Sequence, residues 1–173
     1  MIDFKKGVLC SVVTCLFIGC ANTDLPRASA TEVSEVALSD VPQTVNAVVS
    51  QARPEFTMTE VLKKVRDGRV YYDVEGELPN GDEIEFDVLM TDNGPEIVEI
   101  QRDLDWAAVP QKAQTVANDA NSEGLAIVRV IESQQTDGAI IYELFVDGHP
   151  SDPRFEVRMK DGEAKLLTSR WEH

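Results

Sequence analysis

The sequence predicts an α+β protein built from two tandem repeats, each a helix followed by four antiparallel strands. The tripeptide Val-Pro-Gln occurs at 41–43 and again at 109–111, and each copy opens a segment with the same apolar spacing. A stretch of alternating apolar and polar residues follows each segment, which is typical of strands. An Asp-Gly turn recurs at the same place in both halves, at 67–68 and 137–138. These matches in the same order indicate an internal duplication.

Each tripeptide opens an amphipathic helix. The apolar residues fall at i, i+4, i+7, i+8 and i+11, which places them on one helical face. In the first helix they are Val41, Val45, Val48, Val49 and Ala52, and in the second they are Val109, Ala113, Val116, Ala117 and Ala120. Pro42 suits the first helical turn, and Ser39 or Asp40 is the expected N-cap. Pro54 ends the first helix, and the second fades by Gly124.

The strands of the first repeat have one apolar and one polar side. The apolar set comprises Val70, Tyr72, Val74 and Leu78 on one strand and Ile84, Phe86, Val88 and Met90 on the next. The polar set comprises Tyr71, Asp73, Glu75 and Glu77 on one strand and Glu85 and Asp87 on the next. We expect the apolar side to pack on the helix and the polar side to be solvent-exposed.

The second repeat shows the same alternation. Its apolar positions include Tyr142, Phe155, Val157 and Met159, and Arg154, Glu156 and Arg158 alternate with the last three. Leu167 and Trp171 are expected to complete the inward side of its final strand.

The N-terminus predicts export and a lipid anchor. Lys5 and Lys6 precede an uncharged run from Gly7 to Gly19, which is too short to span a membrane and is typical of a signal peptide. The sequence Leu-Phe-Ile-Gly-Cys at 16–20 resembles the lipobox of bacterial lipoproteins. That resemblance implies cleavage before Cys20 and acylation of its thiol; the alternative is an ordinary secretory signal. All three cysteines lie within residues 1–20, so no disulfide framework is predicted for the folded part.

Four segments follow from these observations. Residues 1–19 are a lipoprotein signal peptide, 20–39 a lipidated, flexible tether, 40–104 the first repeat and 105–173 the second. Ala21 follows the cysteine, and in this position the chain resembles lipoproteins that are sorted to the outer membrane. We therefore expect a lipid-anchored protein of a bacterial cell envelope, on the outer membrane and facing the periplasm.

The repeat pattern resembles the PepSY-like family, whose fold is that of the β-lactamase inhibitor protein. The residues that carry the resemblance are the Val-Pro helix openings, the Gly-x-x-x-Tyr strands ending at Tyr72 and Tyr142, and the hairpins with Asp-Gly or Asp-Asn-Gly. The resemblance implies an exported binding module of two helix-plus-four-strand units, of a kind proposed to restrain peptidases. The second repeat departs from the pattern at 148–153, where two prolines lengthen the hairpin.

The sequence predicts no enzyme, no cofactor and no metal site. His149 and His173 stand in no HExxH motif, and the chain has no GxSxG elbow, Gly-rich phosphate loop or zinc-type cysteine spacing. Glycosidase-like carboxylate pairs remain open by composition, but alternating acids are equally explained as a solvated strand face. Asp-Asn-Gly at 92–94 is explained as a turn rather than a calcium loop. A net charge of −15 argues against nucleic-acid binding.

The polar side of the first repeat is the candidate partner-binding surface. Its residues are Tyr71, Asp73, Glu75, Glu77, Glu85 and Asp87. Like charges that face each other across a sheet are destabilising, so a basic partner or a cation would relieve them, although solvent screening alone would also serve. The leading hypothesis is a lipid-anchored envelope module that docks a protein partner, for example a secreted peptidase. The alternative is an acidic cation-binding or envelope-structural lipoprotein without a specific protein partner.

Overall fold

The computed structural model describes residues 32–149 and 151–171, and these form an α+β fold with one antiparallel sheet and two helices. The nine strands lie in chain order across the sheet, so each pairs with its neighbours in sequence. The helices are α1 (Gln43–Ala52) and α2 (Gln111–Ala120). The strands are β1 (Glu32–Glu35), β2 (Thr57–Arg66), β3 (Arg69–Glu77), β4 (Glu83–Thr91), β5 (Gly94–Asp103), β6 (Ile127–Gln135), β7 (Ile140–Val146), β8 (Phe155–Lys160) and β9 (Glu163–Leu166).

Both helices begin in the same way, after a proline. The carbonyl oxygen of Pro42 accepts hydrogen bonds from the amides of Val45 and Asn46, at 2.9 and 3.1 Å. Pro110 does the same for Ala113 and Gln114, at 2.9 and 3.0 Å. Proline itself is therefore the N-cap of each helix, and neither cap uses a side chain.

The prediction that Ser39 or Asp40 caps the first helix is wrong. Asp40 ends a short 3₁₀ turn, Leu38–Asp40, that precedes α1, and the hydroxyl of Ser39 donates to the Asp40 carboxylate at 3.2 Å. The extended backbone at Val41 and Pro42 then separates this turn from the helix.

The predicted helical stripes face the sheet, which confirms the periodicity. Val45 and Val49 of α1 pack with Val74, Phe86 and Val88 in one core cluster. The second cluster joins α2 and the residue Val109 before it to the inward residues of β6, β7 and β8. Its members are Val109, Ala113, Ala117, Val130, Tyr142, Leu144, Val146, Phe155 and Val157. The helices thus cover one face of the sheet, over its two halves.

The prediction that the flexible tether continues to residue 39 is wrong. Glu32–Glu35 forms β1, which pairs antiparallel with β2, and the amide of Val36 then donates to the Val61 carbonyl at 2.9 Å. The side chains of β1 are all exposed, so no apolar alternation marks it in the sequence. Backbone pairing with β2 attaches this edge strand to the sheet. Residues 32–39 therefore belong to the fold.

The predicted inward position of Trp171 is also wrong. Strand pairing of β9 stops at Leu166, and the chain then leaves the sheet edge. The Arg158 guanidinium lies 5.9 Å from the Trp171 ring, and Arg158 alternates with the inward residues Val157 and Met159. Trp171 therefore lies on the side of the sheet opposite the helices.

Two sequence predictions fall outside the described residues, the signal peptide and the lipidation site Cys20, as does the predicted tether up to residue 31. In the part of the chain that the structure describes, neither helix is long and apolar enough to cross a membrane.

Candidate functional site

The candidate site is the sheet face opposite the helices, which we call the outer face. The register of β3 and β4 places Asp73 opposite Asp87 and Glu75 opposite Glu85. Side chains alternate along a strand, so residues at every second position share a face. The structure thereby brings all six predicted residues together on the outer face: Tyr71, Asp73, Glu75, Glu77, Glu85 and Asp87.

The expectation that this face is solvent-exposed is wrong for three of the six residues. Tyr71 and Asp73 are each 2% exposed and Asp87 is 6% exposed. Glu75 and Glu85 are half-buried, and Glu77 is exposed. Of these six residues, the one most open to a partner is therefore Glu77, at the end of β3.

The burial arises because the sheet curves. Strands β2 and β7 are five positions apart, and a flat sheet would hold them about 24 Å apart at 4.8 Å per strand. Lys64 of β2 and Glu143 of β7 nevertheless line a single cavity of about 360 Å³. The outer face is therefore concave, and its central side chains are enclosed by those of distant strands. We call this space the central cavity.

A second hollow lies at the open end of the face and has a volume of about 380 Å³. We call it the acidic cleft, because four glutamates of β3 and β4 line it: Glu75, Glu77, Glu83 and Glu85. On its far side Asp103 forms an ion pair with Arg129, at 2.8 Å. The cleft thus presents carboxylates on one wall and a neutralised pair on the other.

A hydrogen-bonded carboxylate stabilises the centre of the outer face. The buried Glu99 of β5 accepts hydrogen bonds from Gln101 at 2.9 Å and from Gln135 at 2.6 Å, and also from the Ser133 hydroxyl. Sequence analysis missed Glu99, Ser133 and Gln135, because the pairing of β5 with β6 joins the two halves and no local pattern reports it. Their polar character at strand positions was the only available signal.

The environment raises the pKa of Glu85 to about 7. Burial is the largest cause, followed by repulsion from Glu75 and Asp87 and by a hydrogen bond to Glu75, while Lys64 acts in the opposite direction. Lys64 forms an ion pair with Asp73 and so supplies the positive charge at this point of the face. Glu85 therefore exchanges its proton near neutral pH.

A second pair of carboxyl groups lies on β7 and β8. Glu143 and Glu156 are directly opposed in the register. Burial, followed by repulsion from Glu156 and Glu99, raises the pKa of Glu143 to about 7, and Arg170 opposes this. Burial also raises the pKa of Glu156, against hydrogen bonds from Trp171 and Arg170. Two protonatable pairs thus lie on one concave face.

Residues 167–171, which we call the C-terminal strap, lie across this second pair. The Arg170 guanidinium lies 3.2 Å from Glu156 Oε1, and the Trp171 amide donates to Glu156 Oε2 at 2.7 Å. The strap was not predicted, because the alternating pattern of the sequence indicated that these residues continue the last strand.

The chemistry that this face offers is the binding of positive charge. Carboxyl groups with a pKa near 7 lose their protons readily when a cationic group approaches. Among the described residues no group of three or more His, Cys, Asp or Glu side chains is arranged to hold a metal ion. His149 is exposed in the connection between β7 and β8.

Comparison with known proteins found no matching family model, no matching curated protein and no matching solved structure.

Proposed function

We propose that this chain is a lipid-anchored envelope module that docks a basic region of a protein partner in the acidic cleft. One observation supports this most: two opposed pairs, Glu75 with Glu85 and Glu77 with Glu83, stand side by side at the open end of the outer face. Directly opposed like charges destabilise a sheet. A partner that places lysine or arginine between them removes that repulsion and gains ion pairs with the glutamates.

The partner's chemistry follows from charge complementarity. The chain carries a net charge of −15, so a basic surface is steered toward it over distances of about the Debye length. Steering raises the association rate, and the cleft then selects the orientation. The family resemblance suggests a secreted peptidase as the partner, and charge complementarity adds that its docking region is basic.

The proposal includes a duplicated fold like that of the β-lactamase inhibitor protein. Its support is the order of elements, since a 3₁₀ turn, a helix and four strands occur at 38–103 and again at 106–166. The proline N-caps and the inward Tyr72 and Tyr142 agree with it. Superposition of the two halves tests it, and failure of the helices and strands to coincide would refute it.

Membrane attachment is part of the same proposal and has its own test. Cells that express the chain are labelled with a radioactive fatty acid, and the Cys20→Ser variant is compared with wild type. We expect label in the wild type, in the outer-membrane fraction, and none in the variant. Equal labelling of both would refute acylation at Cys20.

The docking proposal is tested by crosslinking in the native host. The double variant Glu77→Lys/Glu83→Lys reverses charge in the cleft, and Glu55→Lys/Asp92→Lys makes the same change in net charge at exposed turns elsewhere. We expect a crosslinked partner with wild type and with the control, and at least a tenfold loss with the cleft variant. Equal yields from all three proteins would refute docking in the cleft.

The cation-binding alternative is favoured by the same opposed carboxylates, which a divalent ion could also neutralise. Thermal unfolding with and without millimolar calcium tests it in the same protein. A rise in the midpoint that the cleft variant lacks would support this alternative, and an unchanged midpoint would refute it.

A further inference from the structure

The C-terminal strap points to the kind of peptide that the outer face accepts. We infer that the strap is a removable intramolecular occupant of this face, and that the partner segment it excludes is a peptide with arginine next to an aromatic residue. The inference rests on the proposed function, since it specifies which partner chemistry the concave face recognises.

Both carboxylate oxygens of Glu156 are engaged by the strap. Oε1 pairs with Arg170 and Oε2 accepts the amide of Trp171. The two side chains of the ion pair are 13% and 3% exposed, so the contact is largely removed from water. Charge-assisted hydrogen bonds of this kind are the stronger class. The strap thus provides an example of a ligand bound at this position.

The strap also supplies positive charge to this pair of carboxyl groups. Glu143 and Glu156 are opposed across β7 and β8, and Arg170 is the cation that favours ionisation of both. An arginine from another chain could make the same contacts. The chemistry that holds the strap is therefore the chemistry that would hold a basic peptide.

Detachment of the strap leaves the sheet intact. The β8–β9 pairing ends with Val157 opposite Leu166, before the strap begins. The amide of Leu167 donates to the Glu156 carbonyl at 2.9 Å. After Leu167, the strap contacts the Glu156 carboxylate through Arg170 and Trp171. A segment attached at so few points can open locally, without global unfolding.

The aromatic residue of the strap, Trp171, has an unsatisfied hydrogen-bond donor among the described residues. The ring of Trp171 lines the central cavity together with Val33, Tyr71 and Glu143. Its indole nitrogen is buried, and no hydrogen-bond acceptor reaches it among the described residues. A buried donor without an acceptor is unfavourable. An aromatic side chain of a partner that fills the cavity and also hydrogen-bonds its polar atom would therefore displace this ring.

The test uses the chain's own segment as the probe. The double variant Arg170→Ala/Trp171→Ala of the full chain is titrated with a fluorescent peptide of residues 167–173, Leu-Thr-Ser-Arg-Trp-Glu-His. We expect it to bind at least tenfold more tightly than wild type does, because the wild-type face is occupied. The same peptide with alanine in place of arginine, or addition of Glu156→Gln to the variant, should lower the affinity at least tenfold.

Two results would overturn the inference. One is a folded double variant that binds the peptide no better than wild type. The other is a double variant without a cooperative melting transition, because a removable occupant is not required for folding.

Hydrogen exchange provides a test in the unaltered protein. The amide of Trp171 should exchange at least a hundredfold faster than that of the buried Leu144 in β7. Equal rates would show that the strap opens only with global unfolding and would refute the inference.

The outcomes separate this inference from the proposed function. If the double variant binds the peptide but no envelope partner is captured at the acidic cleft, only the docking proposal is refuted. If a partner is captured at the cleft but the double variant does not bind the peptide, only the inference about the strap is refuted.

Discussion

Glu75 and Glu85 lie directly opposite each other on β3 and β4, on the outer face of the sheet. Two ionised carboxylates placed in this way repel each other, which favours the protonated form of one of them. Together with burial, this repulsion raises the pKa of Glu85 to about 7. The concave face therefore carries protons at a pH where ordinary glutamates are ionised.

The free energy of unfolding should fall as the pH rises from about 5 to above 7. Glu85 and Glu143 have folded-state pKa values of about 7 and an ordinary value of 4.5. Between these values the folded state binds protons that the unfolded state does not, so raising the pH favours unfolding. The slope is at most about 1.4 kcal/mol per pH unit for each group. Urea unfolding at pH 5.5, 6.5 and 7.5 measures it.

Matched variants identify the groups that produce this slope. Glu85→Gln and Glu143→Gln each remove one titrating group while preserving the shape of the side chain. Each variant should be more stable than wild type at pH 8 and show a shallower slope. A slope that is unchanged in the double variant would contradict the assignment.

Removal of Lys64 should destabilise the protein by about 2 kcal/mol at pH 8. Lys64 pairs with the buried Asp73, and loss of one partner leaves the other charge without compensation. Lys64→Met tests this by urea unfolding. The double variant Lys64→Met/Asp73→Asn removes both charges and should recover most of the loss. If it is no more stable than the single variant, the pair is not the cause.

Gly76→Ala should cost about 2 kcal/mol through overpacking. A β-carbon at Gly76 would overlap the Thr57 carbonyl oxygen and lie 2.8 Å from Cε2 of Phe56. Phe56 packs edge-on against Phe86, with ring centroids 5.0 Å apart, so its ring has little freedom to move. Glu77→Ala, at the exposed neighbouring position, is the control and should change stability by less than about 0.5 kcal/mol. Equal effects of the two substitutions would contradict this packing.

Corresponding residues of the two helices should not be interchangeable. Val49 of α1 and Ala117 of α2 hold the same position in the apolar stripe, and both are buried. Val49→Ala should cost about 2 kcal/mol by leaving a cavity, and Ala117→Val should cost about 1–3 kcal/mol by overpacking. Thermal unfolding compares each variant with wild type. A neutral result for either would show that its helix adjusts its distance from the sheet.

The helices and most strands could be predicted because their signals are local. The stripe from Val41 to Ala52 repeats with the helical period, and the alternation from Tyr71 to Glu77 repeats with the strand period. The edge strand β1 could not be predicted, since its side chains are all exposed and its attachment to β2 is made by backbone pairing. The strap was missed for a related reason: an apolar residue near a strand end does not reveal where pairing stops.

By itself the sequence determined the two helices and most of the strands, and that Asp73, Glu75, Glu85 and Asp87 share a face, because these properties depend on neighbours along the chain. Only the tertiary structure decided that Asp73 and Asp87 are buried, that Glu143 lies near Lys64 and that the strap binds Glu156. The physical reason is that curvature accumulates over many strands, so burial on the concave face depends on residues far apart in sequence.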